Sequence, residues 1–230
     1  MLSTKSGLGW SGVNGKVNDG RFITFEGGEG VGKTTQIRRL AQALNAVGIE
    51  TVVTREPGGS PGAEALREVL LSGGAKPYGP FAETILFSAA RIDHLDVTIR
   101  PALTAGKWVL CDRFLDSTRA YQGVLGEVDA GLIRSIERIV VGKTMPDLTL
   151  ILDMPAREGL ARARARSGQA DRFESEGLIF HERLRHAFQA LAQAEPQRCV
   201  LIDAARPPDA VAADIFSVTE QRLGLKGQGR

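Results

Sequence analysis

Residues 27–34 of this 230-residue chain read Gly-Gly-Glu-Gly-Val-Gly-Lys-Thr, a complete GxxxxGK[ST] pattern, and few short sequences constrain a fold as tightly. Glycines at 27, 28, 30 and 32 let the backbone curl until successive N–H groups converge on phosphate oxygens. The pattern works between a strand and a helix, because the helix that follows adds its positive end to the cradle. Both flanks comply. Arg21-Phe-Ile-Thr-Phe-Glu26 is a short β-rich run, and Thr34 to Leu44 carries Ile37, Leu40, Ala41 and Leu44 at helical spacing. Lys33 is placed to reach the terminal phosphates of a nucleotide and Thr34 to ligate Mg²⁺. The discordant residue is Glu29, an acid inside an anion cradle.

The remaining punctuation alternates strand and helix. Thr51-Val-Val-Thr54 reads as a strand, Arg55 to Gly62 as a turn segment, and Ala63 to Leu71 as a helix. A helical stretch from about Phe81 to Leu103 leads into Lys107-Trp-Val-Leu-Cys-Asp112, an apolar run expected of a fully buried strand. A helix from Ala130 to Val141 precedes the strand Asp147 to Asp153, and Cys199-Val-Leu-Ile202 makes a later one. The pattern predicts an α/β fold of P-loop NTPase type, a doubly wound sheet of about five parallel strands flanked by helices. Ligands of such sheets bind beyond the carboxyl ends of the strands, where the loop, Arg55, Asp112 and Asp153 all fall. One domain is expected over 21–230, with a short lid at about 162–175. Residues 1–20 are rich in Gly, Ser and Asn, lack the apolar core of a signal peptide, and read as a flexible extension.

Composition narrows the partners. Lys and Arg total 29 against 27 acidic residues, so the net charge of +2 gives no general case for binding a nucleic-acid polymer. The absence of a long apolar run argues against a membrane span. Cys111 and Cys199 sit in apolar runs without metal-ligand spacing, as buried free thiols of a reducing, cytoplasmic compartment do.

Beyond the loop, three groups of residues invite chemistry. Asp112 ends a buried strand, where P-loop enzymes keep a Mg²⁺-associated carboxylate; a helix cap or an ion pair with Arg113 is the plainer role. Phe87 and Arg91, four apart, share a helix face and could stack on a base and hydrogen-bond it, or serve as a core ring and a surface cation. Arg162-Ala-Arg-Ala-Arg166 suits a lid that brings cations to transferring phosphates, or a solvated helix. In a straight helix Arg162 and Arg166 share a face while Arg164 points away.

These pieces together resemble bacterial thymidylate kinases of the subtype with arginines in the lid. The resemblance rests on Phe25 to Thr35, Thr54-Arg-Glu-Pro-Gly-Gly59, Leu86-Phe-Ser-Ala-Ala-Arg91, Asp112-Arg-Phe114 with Ser117 to Gly123, Pro146-Asp-Leu-Thr-Leu150 and the arginine-rich segment. It implies transfer of the ATP γ-phosphoryl group to dTMP, with Mg²⁺ held by Thr34 and Asp112, in a homodimer. It implies an ATP site of Gly27, Gly28, Glu29, Gly30, Val31, Gly32, Lys33, Thr34 and Thr35 with Arg162 and Arg166. The dTMP site would comprise Glu29, toward the sugar 3′-hydroxyl, Phe87 and Arg91 on the base, Arg55 and Arg113 on the phosphate, and Tyr121 near the sugar 2′ carbon. Ser117, Thr118 and Gln122 surround it as polar contacts. Lys33, Arg113, Arg164 and Arg166 are the expected catalytic cations.

Some relatives place an arginine directly after the loop acid; here that position is Gly30, so positive charge must come from the lid. Phe114 stands where His or Tyr is common, which removes a polar contact and keeps an apolar one. A kinase of another nucleoside monophosphate, or a partitioning ATPase whose loop begins Lys-Gly-Gly where this one has Glu26-Gly-Gly28, are the competing readings. No Asn-Lys-x-Asp guanine-reading motif is present.

Overall fold

Five apolar runs form one parallel sheet in a computed structural model that describes residues 20–165, 173 and 175–225. The strands are β1 (Phe22–Gly27), β2 (Thr51–Arg55), β3 (Trp108–Asp112), β4 (Leu148–Asp153) and β5 (Cys199–Asp203), in the spatial order β2-β3-β1-β4-β5. The helices are α1 (Lys33–Ala46), α2 (Pro61–Leu71), α3 (Gly79–His94), α4 (Arg100–Thr104), α5 (Leu115–Thr118), α6 (Ala130–Val140), α7 (Ala156–Ala165), α8 (Leu178–Ala194) and α9 (Pro208–Leu223). The doubly wound α/β architecture expected from the patterning is the one observed. Among the described residues no helix is long and apolar enough to cross a membrane, and Cys111 and Cys199 are both buried and free.

Strand alternation distributes the core over both faces of the sheet. Ile23 and Phe25 pack with Ile37, Leu40 and Leu44 of α1 and with Val211 and Ile215 of α9. Phe22, one residue earlier, joins Ile99, Phe114, Leu115 and Val140 on the opposite side. Thr24 faces that side too, where its hydroxyl bonds that of Thr149 at 2.7 Å. Glu26, two residues on, therefore also enters the sheet's second face.

Because β1 lies between β3 and β4, its carboxyl end meets both neighbours. Phe25 is in register with Asp112, and Gly27 with Leu152, so the loop that follows β1 opens directly beside the end of β3. This is a switch point of a doubly wound sheet, the place where a crevice forms.

The helix expected over 81–103 is one path with a wider turn in it, for α3 passes through a π-helical segment at Leu95–Ile99 before α4. Pro101 has no N–H to return to the preceding turn, and a π turn absorbs that mismatch. A second π segment, Arg119–Leu125, extends α5 and carries Tyr121 and Gln122.

The sheet's second face is tied by ions. Asp116, fully buried, receives both terminal nitrogens of Arg198 at 2.7 and 2.8 Å, and Arg198 also donates to Thr149 at 2.6 Å. Removing the carboxylate would leave the largely buried Arg198 guanidinium with only Glu195 and Thr149 and take a partner from Arg119, which is far costlier than never having had the pair. Asp116→Ala is expected to lose about 3–5 kcal/mol of unfolding free energy. In denaturant titration this shifts the midpoint with little change in slope.

Candidate active site

The loop after β1 curls as its glycines require. Gly30 and Gly32 have φ of 69° and 96°, conformations open to glycine at little cost. Lys33 begins α1 and turns back over the loop, donating to the carbonyls of Gly28 at 2.8 Å and Gly27 at 3.2 Å. Burial, and then the Arg113 guanidinium, pull its ammonium below the usual value, while Asp112, Glu29 and Glu26 oppose them.

A cavity of about 380 Å³ opens on this loop, lined by Lys33, Thr34, Thr35, Gln36, Arg162 and Arg206 among others. At its floor the Thr34 hydroxyl donates to Asp112 at 3.0 Å, so the two oxygen donors expected to share a cation do lie together. Hard oxygen ligands at a phosphate-binding loop fit Mg²⁺, which takes its remaining ligands from phosphate and water. Among the described residues no cluster of three or more His, Cys, Asp or Glu exists that would suit a metal held by protein alone.

A second cavity, of about 150 Å³, is lined by Arg55, Phe87, Arg91, Ser117, Thr118, Tyr121 and Gln122. Every residue assigned to the acceptor from the sequence reaches it. Glu29, Asp112 and Arg113 line both cavities, so the two chambers meet at those side chains.

Their junction is an ion pair. Arg113 Nη2 lies 2.5 Å from Glu29 Oε1, and the Tyr121 hydroxyl donates to the same oxygen at 2.8 Å. Burial alone would raise the Glu29 carboxyl; Arg113 and Lys33 outweigh it and hold it at about 2. Against its own burial, Arg113 is kept above the usual arginine value by Glu29. Arg113 also occupies the left-handed region, φ 68°, a strained position for a side chain this large. That turn aims the guanidinium back across the end of β1, where it bonds Gly27 O at 3.0 Å and Ser117 Oγ at 3.2 Å.

The two readings of Arg91 are separated by its neighbours. Arg91, only 3% exposed, is no surface cation: it donates to Glu56 at 2.8 Å and Thr118 at 3.1 Å, and its guanidinium lies 4.9 Å from the Phe114 ring centroid. Glu56 in turn meets His94 Nδ1 at 3.1 Å, and His94 Nε2 meets Thr54 Oγ1 at 2.7 Å. Phe114 is buried edge-on to Phe22 at 4.9 Å, so the apolar role expected of it is the one it has. Arg55 reaches the second cavity from an exposed position, bonded to Glu64 at 2.9 Å.

On the lid side, α7 runs straight through Ala165. Arg162 and Arg164 are both exposed, but Arg162 lines the larger cavity whereas Arg164 lines none of the three cavities around the loop. For Arg164 the straight-helix geometry holds, and the bend that would bring it in is absent from the described part of the segment. Arg166 lies outside the described residues. The root of α7 touches the loop itself: a Cβ on Gly30 would sit 1.9 Å from Gly159 O, and a Cβ on Gly159 would sit 2.4 Å from Glu29 O.

The sequence profile described as thymidylate kinase matches residues 25–215. The chain belongs to the thymidylate kinase family. A thymidylate kinase of Bradyrhizobium diazoefficiens is 59% identical over 206 residues, spanning 89% of this chain and 90% of that protein. One of Caulobacter vibrioides is 59% identical over 209 residues, 91% of this chain and 100% of that protein. The crystal structure of thymidylate kinase from Ehrlichia chaffeensis superposes with a TM-score of 0.71 at 33% identity, covering 86% of this chain and 98% of that one.

Within this member of the family, several residues at the site have contacts that no local pattern announces. Glu56 and His94 bracket Arg91 from loop and helix; Glu56 stands in the Thr54–Gly59 stretch that carries the resemblance and His94 follows Arg91 by three residues on the same face, but neither placement by itself assigns a partner. Glu26 showed itself only as an acid inside an apolar strand. Gln36, Ala204, Arg206, Pro208 and Val211 extend the donor cavity toward the β5–α9 connection, which no motif marks.

Gly159→Ala tests the contact between loop and lid helix. In an ordinary helix this change gains roughly 1 kcal/mol, so a fall in melting temperature with a loss of about ten-fold or more in kcat/KM would mark the clash with Glu29 O as the stronger effect. The Glu29 pair makes a pH prediction. A carboxyl lowered from 4.5 to about 2 contributes stability that is fully present above about pH 4.5 and is lost as pH falls toward 2. The stability gap between wild type and Glu29→Gln, followed by denaturant titration, should therefore be constant near neutrality and close across that acid window.

Proposed function

We infer that the chain transfers the γ-phosphoryl group of ATP to dTMP, yielding ADP and dTDP for DNA precursor synthesis. The observation that carries this is the meeting of two chambers at Glu29, Asp112 and Arg113, one built on a phosphate loop and one lined by Phe87, Arg91 and Tyr121. A partitioning ATPase has no use for the second chamber.

The acceptor is a phosphate already ionised near neutrality, so no base is needed to create a nucleophile, and catalysis reduces to alignment and charge neutralisation. Arg113 and Arg55 hold the attacking phosphate. Lys33 and a lid arginine, Arg162 or on closure Arg164 or Arg166, balance charge on the γ-phosphoryl group. Thr34 and Asp112 would hold Mg²⁺, which would supply further charge neutralisation at the donor phosphates. Glu29 accepts two hydrogen bonds on Oε1 and none on Oε2 among the described residues, which leaves an acceptor for the sugar 3′-hydroxyl. Phe87 stacks on thymine, Arg91 contacts it, and the Tyr121 ring crowds a 2′-hydroxyl. Closure of the lid excludes water and limits wasteful hydrolysis.

Residues 21–230 act as a single kinase domain. The exposed apolar side chains Tyr78, Phe81, Ile85 and Ile92, along α3 and the turn before it, support a homodimer, and the two free thiols support a cytoplasmic location.

ADP release measured over dTMP, dUMP, UMP and thymidine tests the assignment. dTMP should be the best acceptor, and Glu29→Ala should raise its KM by about ten-fold or more, the worth of a hydrogen bond to a charged group. Preference for thymidine, or ATP turnover indifferent to dTMP, would overturn it.

A further inference from the structure

Glu26 is the one acid of β1, and it is fully buried. Its carboxylate makes no direct ion pair within the described residues; it is held by neutral donors from a single neighbouring segment. Oε1 accepts from Phe114 N at 2.8 Å and Ser117 N at 3.3 Å, and Oε2 accepts from Ser117 Oγ at 2.6 Å. All three donors follow Arg113, the residue whose backbone sits at φ 68°. The Ser117 hydroxyl that donates to Glu26 accepts in turn from Arg113 Nη1 at 3.2 Å. A continuous chain thus runs from Glu26 through Ser117 to the guanidinium, while the bond to Phe114 N fixes the strained turn from its other side.

We propose that Glu26 is a positioning residue for phosphoryl transfer, acting through Ser117 and the 113–114 turn to set Arg113 for the acceptor's phosphate. The inference rests on Arg113 engaging that phosphate.

The chemistry explains why an acid occupies the position. Two carboxylate oxygens, each with room for more than one donor, satisfy two backbone N–H groups and a hydroxyl together. An amide offers one oxygen, so at Glu26→Gln the amide nitrogen must donate toward Ser117 Oγ, reversing the bond that orients the hydroxyl toward β1. The acid is costly to keep. Burial, with the Asp116 carboxylate beside it, lifts the Glu26 carboxyl to about 7, opposed by the Ser117 hydrogen bond, Arg113 and Phe114 N–H. A carboxyl raised this way supports the fold below its unfolded value of 4.5 and loses that support as pH climbs through about 7. A neutral amide suffers no such loss. The wild-type residue therefore carries a stability cost, which is common where function fixes a side chain.

The experiment compares wild type, Glu26→Gln, Ser117→Ala, the double variant of these two and Arg113→Lys by steady-state kinetics in dTMP and in ATP, with melting temperatures at about pH 8. For Glu26→Gln the KM for dTMP should rise about ten-fold while that for ATP stays within about two-fold, and the melting temperature should equal or exceed the wild-type value. Ser117→Ala should give the same split, and the double variant should be no worse than the single ones, because both act on one chain of contacts. The proposal is overturned if the relative rise in KM for dTMP does not exceed that for ATP by at least about five-fold in Glu26→Gln, or in Ser117→Ala should the first variant not fold. Arg113→Lys separates the two levels. If it leaves dTMP binding unchanged, the assignment of Arg113 to the acceptor fails; if it weakens dTMP and Glu26→Gln does not, the positioning role alone fails.

Discussion

The site depends on the pair between Glu29 and Arg113. An acid in an anion cradle is a liability unless a cation answers it, and here the answer comes from 84 residues away at 2.5 Å. Both charges are largely withdrawn from water, so each needs the other: a buried pair broken on one side leaves an uncompensated charge, a larger penalty than the pair's net gain. The pairing exists only because β1 is threaded between β3 and β4. With Phe25 opposite Asp112, the loop after β1 and the turn after β3 emerge side by side, and Arg113 must enter the left-handed region to point back across the gap. Fold, backbone strain and electrostatics thus converge on two side chains that also divide the donor chamber from the acceptor chamber.

A second chain of contacts fixes Arg91 as this pair fixes Arg113. Arg91 would be free to wander if its partner were solvent, but Glu56 holds it at 2.8 Å while His94, wholly buried, braces Glu56 from behind. The Phe114 ring closes the other flank of the guanidinium at 4.9 Å, which gives an apolar residue a directional role through its π face. A guanidinium held on three sides is already oriented, and a ligand that engaged it would lose less ordering entropy on binding.

What the sequence displays and what it hides divide along the range of the interaction. The phosphate loop, the five strands and the straight α7 are local features, readable from glycine spacing, apolar runs and helical geometry, and the polar residues at strand ends follow from fold class alone. For Phe87 and Arg91 the spacing alone favours a core ring and a surface cation over a base-reading pair; what removes the surface reading of Arg91 is Glu56 and Thr118, which reach it from 35 and 27 residues away. Glu26 lies 88 residues from Phe114, and its function is a relation between two strands rather than a property of either. The far end of the larger cavity was invisible for the same reason, since Arg206 and Pro208 reach it from a connection with no motif of its own. The π turns also escape periodicity, although Pro101 at least marks where one is required.

The glycine after the loop acid links this geometry to the choice of cation. At Gly30 a Cβ would collide with the backbone of Gly159, and at Gly159 a Cβ would collide with the backbone of Glu29, so neither position admits any side chain while the other element stays in place. An arginine at residue 30 is therefore excluded by α7, not merely absent. The same contact sets α7 against the loop tip, and Arg162, less than one turn beyond Gly159, lines the donor chamber as a result. Close packing of two glycines removes a cation from the loop and brings the helix that carries replacements. A larger residue at 30 would need α7 displaced, and with α7 displaced Arg162 would leave the chamber it lines.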